Sequence, residues 1–182
     1  DISVKLDEDH LREQLNLLKD KGEVEALTIS FVNSYINDKN EILAAKIAAE
    51  IFTDIPISIS SEVIPEMQEY ERAETTVLNS YVRPQVSNYV NNLQSNLEKK
   101  LGNDVQLSIL RSDGGLASSR ATADSPVNHL MSGPAGGVAG AVHFCNQAGY
   151  ENILTFDMGG TSTDVALIKN SRAKVRRETL VG

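Results

Sequence analysis

The stretch FDMGGTSTDVALI, from Phe156 to Ile168, decides which fold the chain is expected to adopt. The apolar run ILTF leads into it and delivers Asp157 at the end of a strand, just before a bare, polar turn. After the turn the chain reads DVALI, then KNSR, then AKVRRETLV, which is the pattern of a strand, a turn and another strand. The sequence therefore predicts a β-hairpin with a glycine-rich turn, followed by a third strand.

The composition of this turn is suited to binding phosphate. Gly159 and Gly160 permit backbone conformations that a side chain would forbid and keep the turn bare, so that a bulky anion could approach. The hydroxyl groups of Thr161, Ser162 and Thr163 add donors to the backbone N–H groups of the turn. For this pattern taken alone, a tight turn with only a structural role remains the alternative.

Asp157 at the edge of the turn predicts a metal ion. A carboxylate repels a neighbouring phosphate unless a cation lies between them, so an acid here indicates Mg²⁺, held directly or through water. The chain contains neither the P-loop pattern nor a dinucleotide fingerprint that opens a helix. We therefore expect the hairpin itself, and not a following helix N-terminus, to hold the phosphates.

The segment MSGPAGGVAGAVHF, from Met131 to Phe144, is a predicted helix with an unusual number of glycines. Each glycine in a helix interior is about 1 kcal/mol less favourable than alanine, so close approach to a sheet or to a ligand is expected. Ser132 is a candidate N-cap with Pro134 in the first turn, which would leave free N–H groups at the helix start. We predict that Gly136 and Gly137 lie against both the sheet and the bound cofactor, with tight packing alone as the alternative.

Residues 6–61 have the pattern of an α/β fold. A helix is predicted from Leu6 to Lys21, and a strand from Val24 to Val32. A second helix, capped by an acid, follows from Asp38 to Phe52, and a second strand covers residues 57–61. A strand, a helix and a strand in this order predict a parallel pair joined by a crossover helix. The apolar stripe expected on this crossover helix consists of Ile42, Ala45, Ile47, Ala49 and Phe52.

The polar segment 62–76 carries Pro65 and predicts an irregular joint between two subdomains. The first subdomain would be residues 1–76, which include the strand-helix-strand unit. The second would be residues 77–182, which include the hairpin.

The start of the second subdomain predicts a helix, a strand and a loop. Apolar residues recur at helical spacing from Val86 to Leu101, with Pro84 in the first turn and Gly102 after the end. Residues 105–110 are a predicted strand, followed by the loop RSDGGLASS. The DGG triplet of this loop, Asp113–Gly115, lacks the hydroxyl run of the hairpin and is interpreted as structural.

Composition excludes several classes of protein. With 17 basic and 25 acidic residues in 182, the net charge of -8 argues against nucleic-acid or anionic-membrane binding. The single Cys145 excludes an internal disulfide, which indicates an intracellular, cytoplasmic protein, as does the lack of a predicted leader or membrane span. Three histidines without ligand spacing make a zinc site unexpected: His10, His129 and His143.

Two motifs together resemble a known family. LMSGPAGGVAGA followed by TFDMGGTSTDVALI is similar to the hydantoinase A, 5-oxoprolinase and acetone carboxylase family. The segments SSEVIPEMQEYERAETTVLNSYVRP and LRSDGGLAS are also similar to it, so the resemblance covers nearly the whole chain. It implies the ribonuclease H-like fold of the actin, Hsp70 and sugar kinase ATPases.

The resemblance also implies a function. ATP and Mg²⁺ would be the cofactors, with Asp157 positioning Mg²⁺ or water and Gly159, Gly160 and Thr161 contacting the phosphates. Asp164 would support the turn or the metal; a salt-bridged or solvated hairpin residue is the alternative. The enzyme would be an ATP-dependent cyclic amide hydrolase that phosphorylates a ring carbonyl oxygen, with a hydantoinase B-type subunit as a possible partner.

Other functions stay open at this point. They are an ATP-dependent ketone carboxylase subunit, a nucleotide-gated binding protein like Hsp70 or actin, and a structural piece without catalysis. Members of the family carry an earlier D-x-G-G-T loop, whereas this sequence has only one. We therefore expect an incomplete fragment of a longer polypeptide, with negligible ATPase activity alone.

Overall fold

A computed structural model describes residues 4–174 of the chain. Contacts divide the chain into two units: Asp1–Val105 with Ser119–Val127, and Gln106–Ser118 with Asn128–Gly182. Each unit combines helices with strands, which confirms the predicted α/β class. Within residues 4–174 no helix has the length and apolar character that crossing a membrane requires.

The first unit contains the predicted strand-helix-strand arrangement. Its first elements are α1 (Glu8–Asp20), β1 (Leu27–Ile29), α2 (Lys39–Ile51) and β2 (Ile57–Ile59). β1 and β2 pair in parallel, with α2 as the crossover, as the sequence predicted. The strand predicted over residues 24–32 is shorter than expected, because only three residues of β1 pair with β2.

The core of this unit lies between α1 and α2. It consists of apolar residues on one face of each helix together with the end of α2: Leu15, Ile47, Ala48, Ile51 and Phe52. Ile42, predicted to lie on the buried stripe, is instead 49% exposed, and Ala44 is buried. The stripe is rotated relative to the prediction, because the contacts with α1 and the strands decide which face of α2 is covered.

The starts of the two helices differ in their capping. Asp7 caps α1, because its carboxylate accepts a hydrogen bond from the His10 N–H at 3.0 Å. Asp38 takes the N-cap position of α2 but makes no side-chain capping bond. The side chain of Asn37 accepts a bond from the Lys39 N–H instead, at 3.3 Å.

A short helix, α3 (Ser60–Val63), and a long one, α4 (Glu69–Leu101), correct two predictions. Residues 69–76, predicted to be irregular, are the first turns of α4, and Pro84 lies inside this helix rather than in its first turn. An interior proline destabilises a helix by about 3 kcal/mol, so packing has to stabilise α4. The predicted division after residue 76 falls within α4 and stays a prediction about the longer polypeptide.

Glu41 of α2 is completely buried and fully hydrogen-bonded. Its carboxylate accepts hydrogen bonds from the Phe31 N–H at 2.7 Å, the Ser60 hydroxyl at 2.6 Å and the Ser61 N–H at 2.9 Å. The carboxylate therefore ties together the loop after β1 and the start of α3. Nothing in the sequence pattern distinguished this acid from a surface residue.

Arg72 of α4 is the second buried charge of this polar network and is 1% exposed. Its guanidinium donates to the carbonyl of Phe31 at 3.0 Å, the carbonyl of Glu66 at 2.8 Å and the hydroxyl of Ser60 at 3.1 Å. The guanidinium also lies over the ring of Tyr35, 5.4 Å from its centroid. Ser60 thus joins the two charged groups, since it donates to the carboxylate and accepts from the guanidinium.

The buried carboxylate predicts a stability change in acid. Burial by itself raises the pKa of Glu41, but hydrogen bonds from Ser60, Ser61 and Phe31 outweigh it and hold the pKa below its ordinary value of 4.5. A lowered folded-state pKa stabilises the protein above the unfolded-state value, and this stability is lost as the pH falls through the folded value.

We therefore expect the free energy of unfolding to decrease as the pH is lowered below 4.5. The change Glu41→Gln should lower it by about 1–3 kcal/mol at pH 7, because an amide NH₂ replaces one acceptor among buried donors. The variant should also lose part of the pH dependence. Urea unfolding between pH 7 and pH 3 measures both effects. If the free energy of unfolding of the variant depends on pH as steeply as that of the original protein, Glu41 does not cause the loss of stability in acid.

The described part of the second unit contains two antiparallel sheets and a helix, α6 (Ser132–Gln147). Strands β3 (Ser108–Leu110) and β4 (Leu116–Ser118) form a hairpin, so the predicted loop RSDGGLASS contains a strand. Up to residue 174, the larger sheet has three strands in sequence order: β5 (Ile153–Met158), β6 (Thr163–Lys169) and β7 (Arg172–Ala173). The predicted central hairpin is confirmed, whereas most of the third predicted strand, with Arg176 and Arg177, lies outside the described residues.

Two short helical segments stand between β4 and α6. α5 (Ser119–Asp124) belongs to the first unit, and the 3₁₀ helix Pro126–His129 spans the change from the first unit to the second. Ser87 of α4 holds α5 in place, since its hydroxyl donates to the Ala123 carbonyl at 2.6 Å.

The two faces of the three-stranded sheet differ in exposure. On one face Ile168 is fully buried and its cross-strand neighbour Ile153 is partly buried. The opposite face carries five apolar side chains that are 57–68% exposed: Leu154, Phe156, Met158, Val165 and Leu167. We call this second face the apolar sheet face.

Candidate functional site

The turn between β5 and β6 is tight and open to solvent. The Gly159 N–H donates to the Ser162 carbonyl at 2.9 Å, which closes the turn. Neither Gly159 nor Gly160 has a positive φ, so the turn does not use the left-handed conformations that glycine was predicted to supply. A Cβ at Gly160 would meet nothing within 4 Å, and one at Gly159 would lie 3.6 Å from the Ser162 carbonyl oxygen. The two glycines therefore contribute to the turn by their lack of side chains, which leaves space beside it, and not by a left-handed backbone conformation.

The three hydroxyl residues of the turn face solvent. Thr161, Ser162 and Thr163 are all exposed. Among residues 4–174, none of the three side chains has a hydrogen-bond partner. Their donors are thus available to a ligand.

Asp157 and Asp164 lie directly opposite each other in the antiparallel ladder of β5 and β6. Residues paired in this way project from the same face of the sheet, and like charges in such a pair destabilise it. Asp157 is exposed and Asp164 is partly buried. A cation between the carboxylates would relieve the repulsion, whereas a salt bridge is not found for either acid in the described part of the chain.

The two central glycines of α6 have different surroundings. A Cβ at Gly136 would lie 2.5 Å from the Leu110 Cδ2, so this glycine lets α6 pack closely on β3. A Cβ at Gly137 would lie 3.9 Å from the Asp157 Oδ2, so this glycine borders the candidate metal site. The geometry thus gives Gly136 a packing role and places Gly137 next to the predicted functional acid.

The start of α6 differs from the prediction. Met131 is the N-cap residue and Ser132 is the first residue of the helix, with no side-chain capping bond. The Met131 N–H instead donates to the Ser112 hydroxyl at 3.1 Å. This bond holds the turn after β3 against the helix start, a contact between distant segments that the sequence did not indicate.

A cavity of about 1250 Å³ lies in the second unit, between α6, β5, β6 and the turn 112–114. Asp157, Asp164 and Gly137 line it, and Lys174 adds a positive charge to the lining. Asp113 also lines it, but its carboxylate accepts from the Gly115 N–H at 2.9 Å, in agreement with a structural role. Groups of three or more His, Cys, Asp or Glu that could hold a metal are absent from residues 4–174.

The contrast between the glycines of α6 predicts opposite effects on stability. The change Gly140→Ala should raise the free energy of unfolding by about 1 kcal/mol, because a Cβ there meets nothing within 4 Å. The change Gly136→Ala gains the same helix propensity but forces Leu110 or the helix to move, which costs about 1–3 kcal/mol. Chemical denaturation of both variants measures the difference. Equal stabilisation by the two changes would show that the Leu110 side chain moves aside without cost, so that packing of α6 on β3 does not require a glycine at this position.

Family models match both ends of the chain. The hydantoinase/oxoprolinase model matches residues 72–182, and the model of the hydantoinase/oxoprolinase N-terminal region matches residues 1–52. The chain belongs to the hydantoinase/oxoprolinase family. The resemblance inferred from the two glycine-rich motifs is thereby confirmed.

Three relatives of known activity are similar over most of the chain. Caprolactamase subunit alpha of Pseudomonas jessenii is 32% identical over 171 residues, which are 94% of this chain and 23% of the relative. The 5-oxoprolinase of Saccharomyces cerevisiae is 34% identical over 178 residues, 97% of this chain and 13% of the relative. The nucleotide-free structure of acetone carboxylase, an ATP-dependent enzyme, matches with a TM-score of 0.80 and 32% identity over 93% of this chain and 24% of its own.

A solved structure of the ATP-dependent caprolactamase from Pseudomonas jessenii also matches, with a TM-score of 0.76 and 33% identity over 92% of this chain and 24% of its own. The chain therefore spans a quarter or less of the length of these relatives.

Proposed function

We propose that the chain is a segment of a longer, cytoplasmic, ATP-dependent enzyme in which the β5–β6 turn binds the nucleotide phosphates. The observation that carries this proposal is the pair Asp157 and Asp164, side by side next to a turn without obstructing side chains. Two unpaired carboxylates are unfavourable unless a cation joins them. The ATP dependence of acetone carboxylase and caprolactamase supports a nucleotide as the ligand.

The residues present suit Mg²⁺. This ion is typically bound by one or two carboxylates, with water and substrate phosphates completing the octahedron, so a larger cluster of acids is not needed. Asp157 and Asp164 would hold it. When bound, Mg²⁺ would neutralise charge on the phosphoryl group during transfer.

The remaining residues of the turn would bind and orient the phosphates. The backbone N–H groups of Gly160 and Thr161 and the hydroxyl groups of Thr161, Ser162 and Thr163 are suited to donate to phosphate oxygens. Gly159, Gly160 and Gly137 would leave room for the phosphates. Lys174 would add positive charge to the cavity that Asp157 and Asp164 also line. We retain the ribonuclease H-like ATPase fold as part of this proposal.

We propose a cyclic amide as the substrate of the longer enzyme. Caprolactamase and 5-oxoprolinase are named for such substrates. Phosphorylation of the ring carbonyl oxygen would turn a poor electrophile into one that water can open. The name caprolactamase subunit alpha also supports a partner subunit, for which we propose a hydantoinase B-type protein.

Ketone carboxylation is the second candidate. The match to acetone carboxylase, with a TM-score of 0.80, favours it as much as the caprolactamase match favours hydrolysis. Both reactions would use the same phosphate site, so the described residues serve either one.

Phosphate release by the longer polypeptide with its partner subunit tests the proposal. ATP and Mg²⁺ are supplied with hydantoin, 5-oxoproline or caprolactam, or with acetone and bicarbonate. Release that depends strictly on a cyclic amide supports the hydrolase, and release that depends on the ketone and bicarbonate supports the carboxylase. Slow release that ignores every substrate would instead indicate a nucleotide-gated binding protein.

A further inference from the structure

The first unit contains a cavity of its own, of about 540 Å³. Small-molecule sites in proteins typically measure about 300–1,000 Å³. The lining is mainly polar and comes from α4 and α5: Arg83, Ser87, Asn91, Ser119, Arg120 and Asp124. None of these residues belongs to the proposed phosphate site, so the cavity needs an explanation of its own.

One pair of charges in this cavity is already neutralised. Arg83 Nη2 donates to Asp124 Oδ1 at 2.8 Å, and the Arg83 side chain is only 17% exposed. Arg83 also donates to the Ile57 carbonyl, which ties the pair to β2. The pair therefore forms a part of the lining that has no net charge.

Arg120 is then the uncompensated charge of the lining. Two guanidinium groups face one carboxylate, so the cavity carries a net positive charge in a chain whose total is -8. The side chain of Arg120 is exposed, and within the described residues it has neither a hydrogen bond nor an ion pair. A local positive charge in an acidic protein attracts small anions.

Two further donors line the cavity without partners among the described residues. These are the side-chain amide of Asn91 and the hydroxyl of Ser119. Ser87, by contrast, uses its hydroxyl proton to bond the Ala123 carbonyl, so it offers only its lone pairs. A guanidinium, an amide and a hydroxyl are all groups that donate to an oxyanion, and charge-assisted bonds of this kind are the strong ones.

We propose that this cavity binds the oxyanion group of a small molecule, either a carboxylate or a phosphate, through Arg120, Asn91 and Ser119. The neutral pair of Arg83 and Asp124 contacts the polar body of the ligand. This site is independent of nucleotide binding at the β5–β6 turn. A negative result for one of the two proposals therefore does not contradict the other.

Titration of the 182-residue chain with inorganic phosphate and with malonate, at constant ionic strength, tests the proposal by calorimetry or amide NMR shifts. Saturable binding of either anion is expected, and the one that binds more tightly identifies the class of ligand. The change Arg120→Gln should weaken this binding by about tenfold or more, because it removes a charge-assisted hydrogen bond. Lys46→Gln removes the same charge from an exposed position on α2 and should leave binding unchanged.

A second pair of variants separates the cavity from the overall charge. Asn91→Asp puts a negative charge in the lining, and Asn92→Asp puts the same charge on the neighbouring exposed residue of α4, which does not line the cavity. Only the first should weaken binding. The proposal is overturned if neither anion shows saturable binding. It is also overturned if Lys46→Gln weakens binding as much as Arg120→Gln, and Asn92→Asp as much as Asn91→Asp.

Discussion

Replacement of Asp157 by asparagine in the longer polypeptide should lower substrate-dependent ATP turnover by at least about 100-fold, the size of effect that loss of one key charged contact in a transition state typically produces. The asparagine keeps the shape of the side chain but removes the charge that would hold Mg²⁺ beside the phosphates. Phosphate release at saturating substrate measures the effect. Asp38→Asn removes the same charge from an exposed position without a side-chain capping bond and serves as the control.

A stability measurement on the same variant separates function from folding. In the absence of Mg²⁺, Asp157→Asn should raise the free energy of unfolding by about 0.2–1 kcal/mol, because it removes one of two like charges that face each other. Asp164→Asn should do the same. A variant that loses stability and keeps its turnover would mean that the acid has a structural role only.

Replacement of Arg72 by alanine should destabilise the first unit by about 3–5 kcal/mol, as expected when one member of a buried charged network is removed. Three acceptors would lose their donor: the buried hydroxyl of Ser60 and the partly buried carbonyl groups of Phe31 and Glu66. Chemical denaturation measures the effect; failure of the variant to unfold cooperatively agrees with it.

Arg12→Ala is the matched control for this prediction. Arg12 pairs with Glu50 at 2.6 Å, but the two side chains are 39% and 48% exposed. Exposed ion pairs typically contribute about 0–1 kcal/mol. If the two arginine variants lose equal stability, the buried network does not stabilise the fold as the structure indicates.

The elements that the sequence predicted well are those whose pattern is local. The apolar run and glycine turn of the β5–β6 hairpin and the small-residue run of α6 are each visible within about one element, and both lie where expected. The first turns of α4 were missed because the residues they bury are mainly polar, namely Arg72, Thr76, Asn79 and Ser80, so no apolar stripe marks the helix.

The candidate site could be predicted only in part for the same reason. The position of Asp157 at the end of a strand followed from the local pattern, and the hairpin register then placed Asp164 opposite. The closeness of Gly137 to Asp157, and of Ser112 to the start of α6, depends on how distant segments pack. A glycine in the sequence shows only which backbone conformations are permitted and not which one is adopted. Gly159 and Gly160 do not adopt the left-handed conformation.

The apolar sheet face has a consequence for the behaviour of the chain in solution. Leu154 and Phe156 of β5 and Leu167 of β6 present an exposed apolar surface that reaches β5, an edge strand of the described sheet. Mutual repulsion between molecules that each carry a charge of -8 opposes their clustering through this surface. Because added salt shortens the range of that repulsion, concentrated samples should remain clear in buffer of low ionic strength and become turbid through aggregation at high ionic strength.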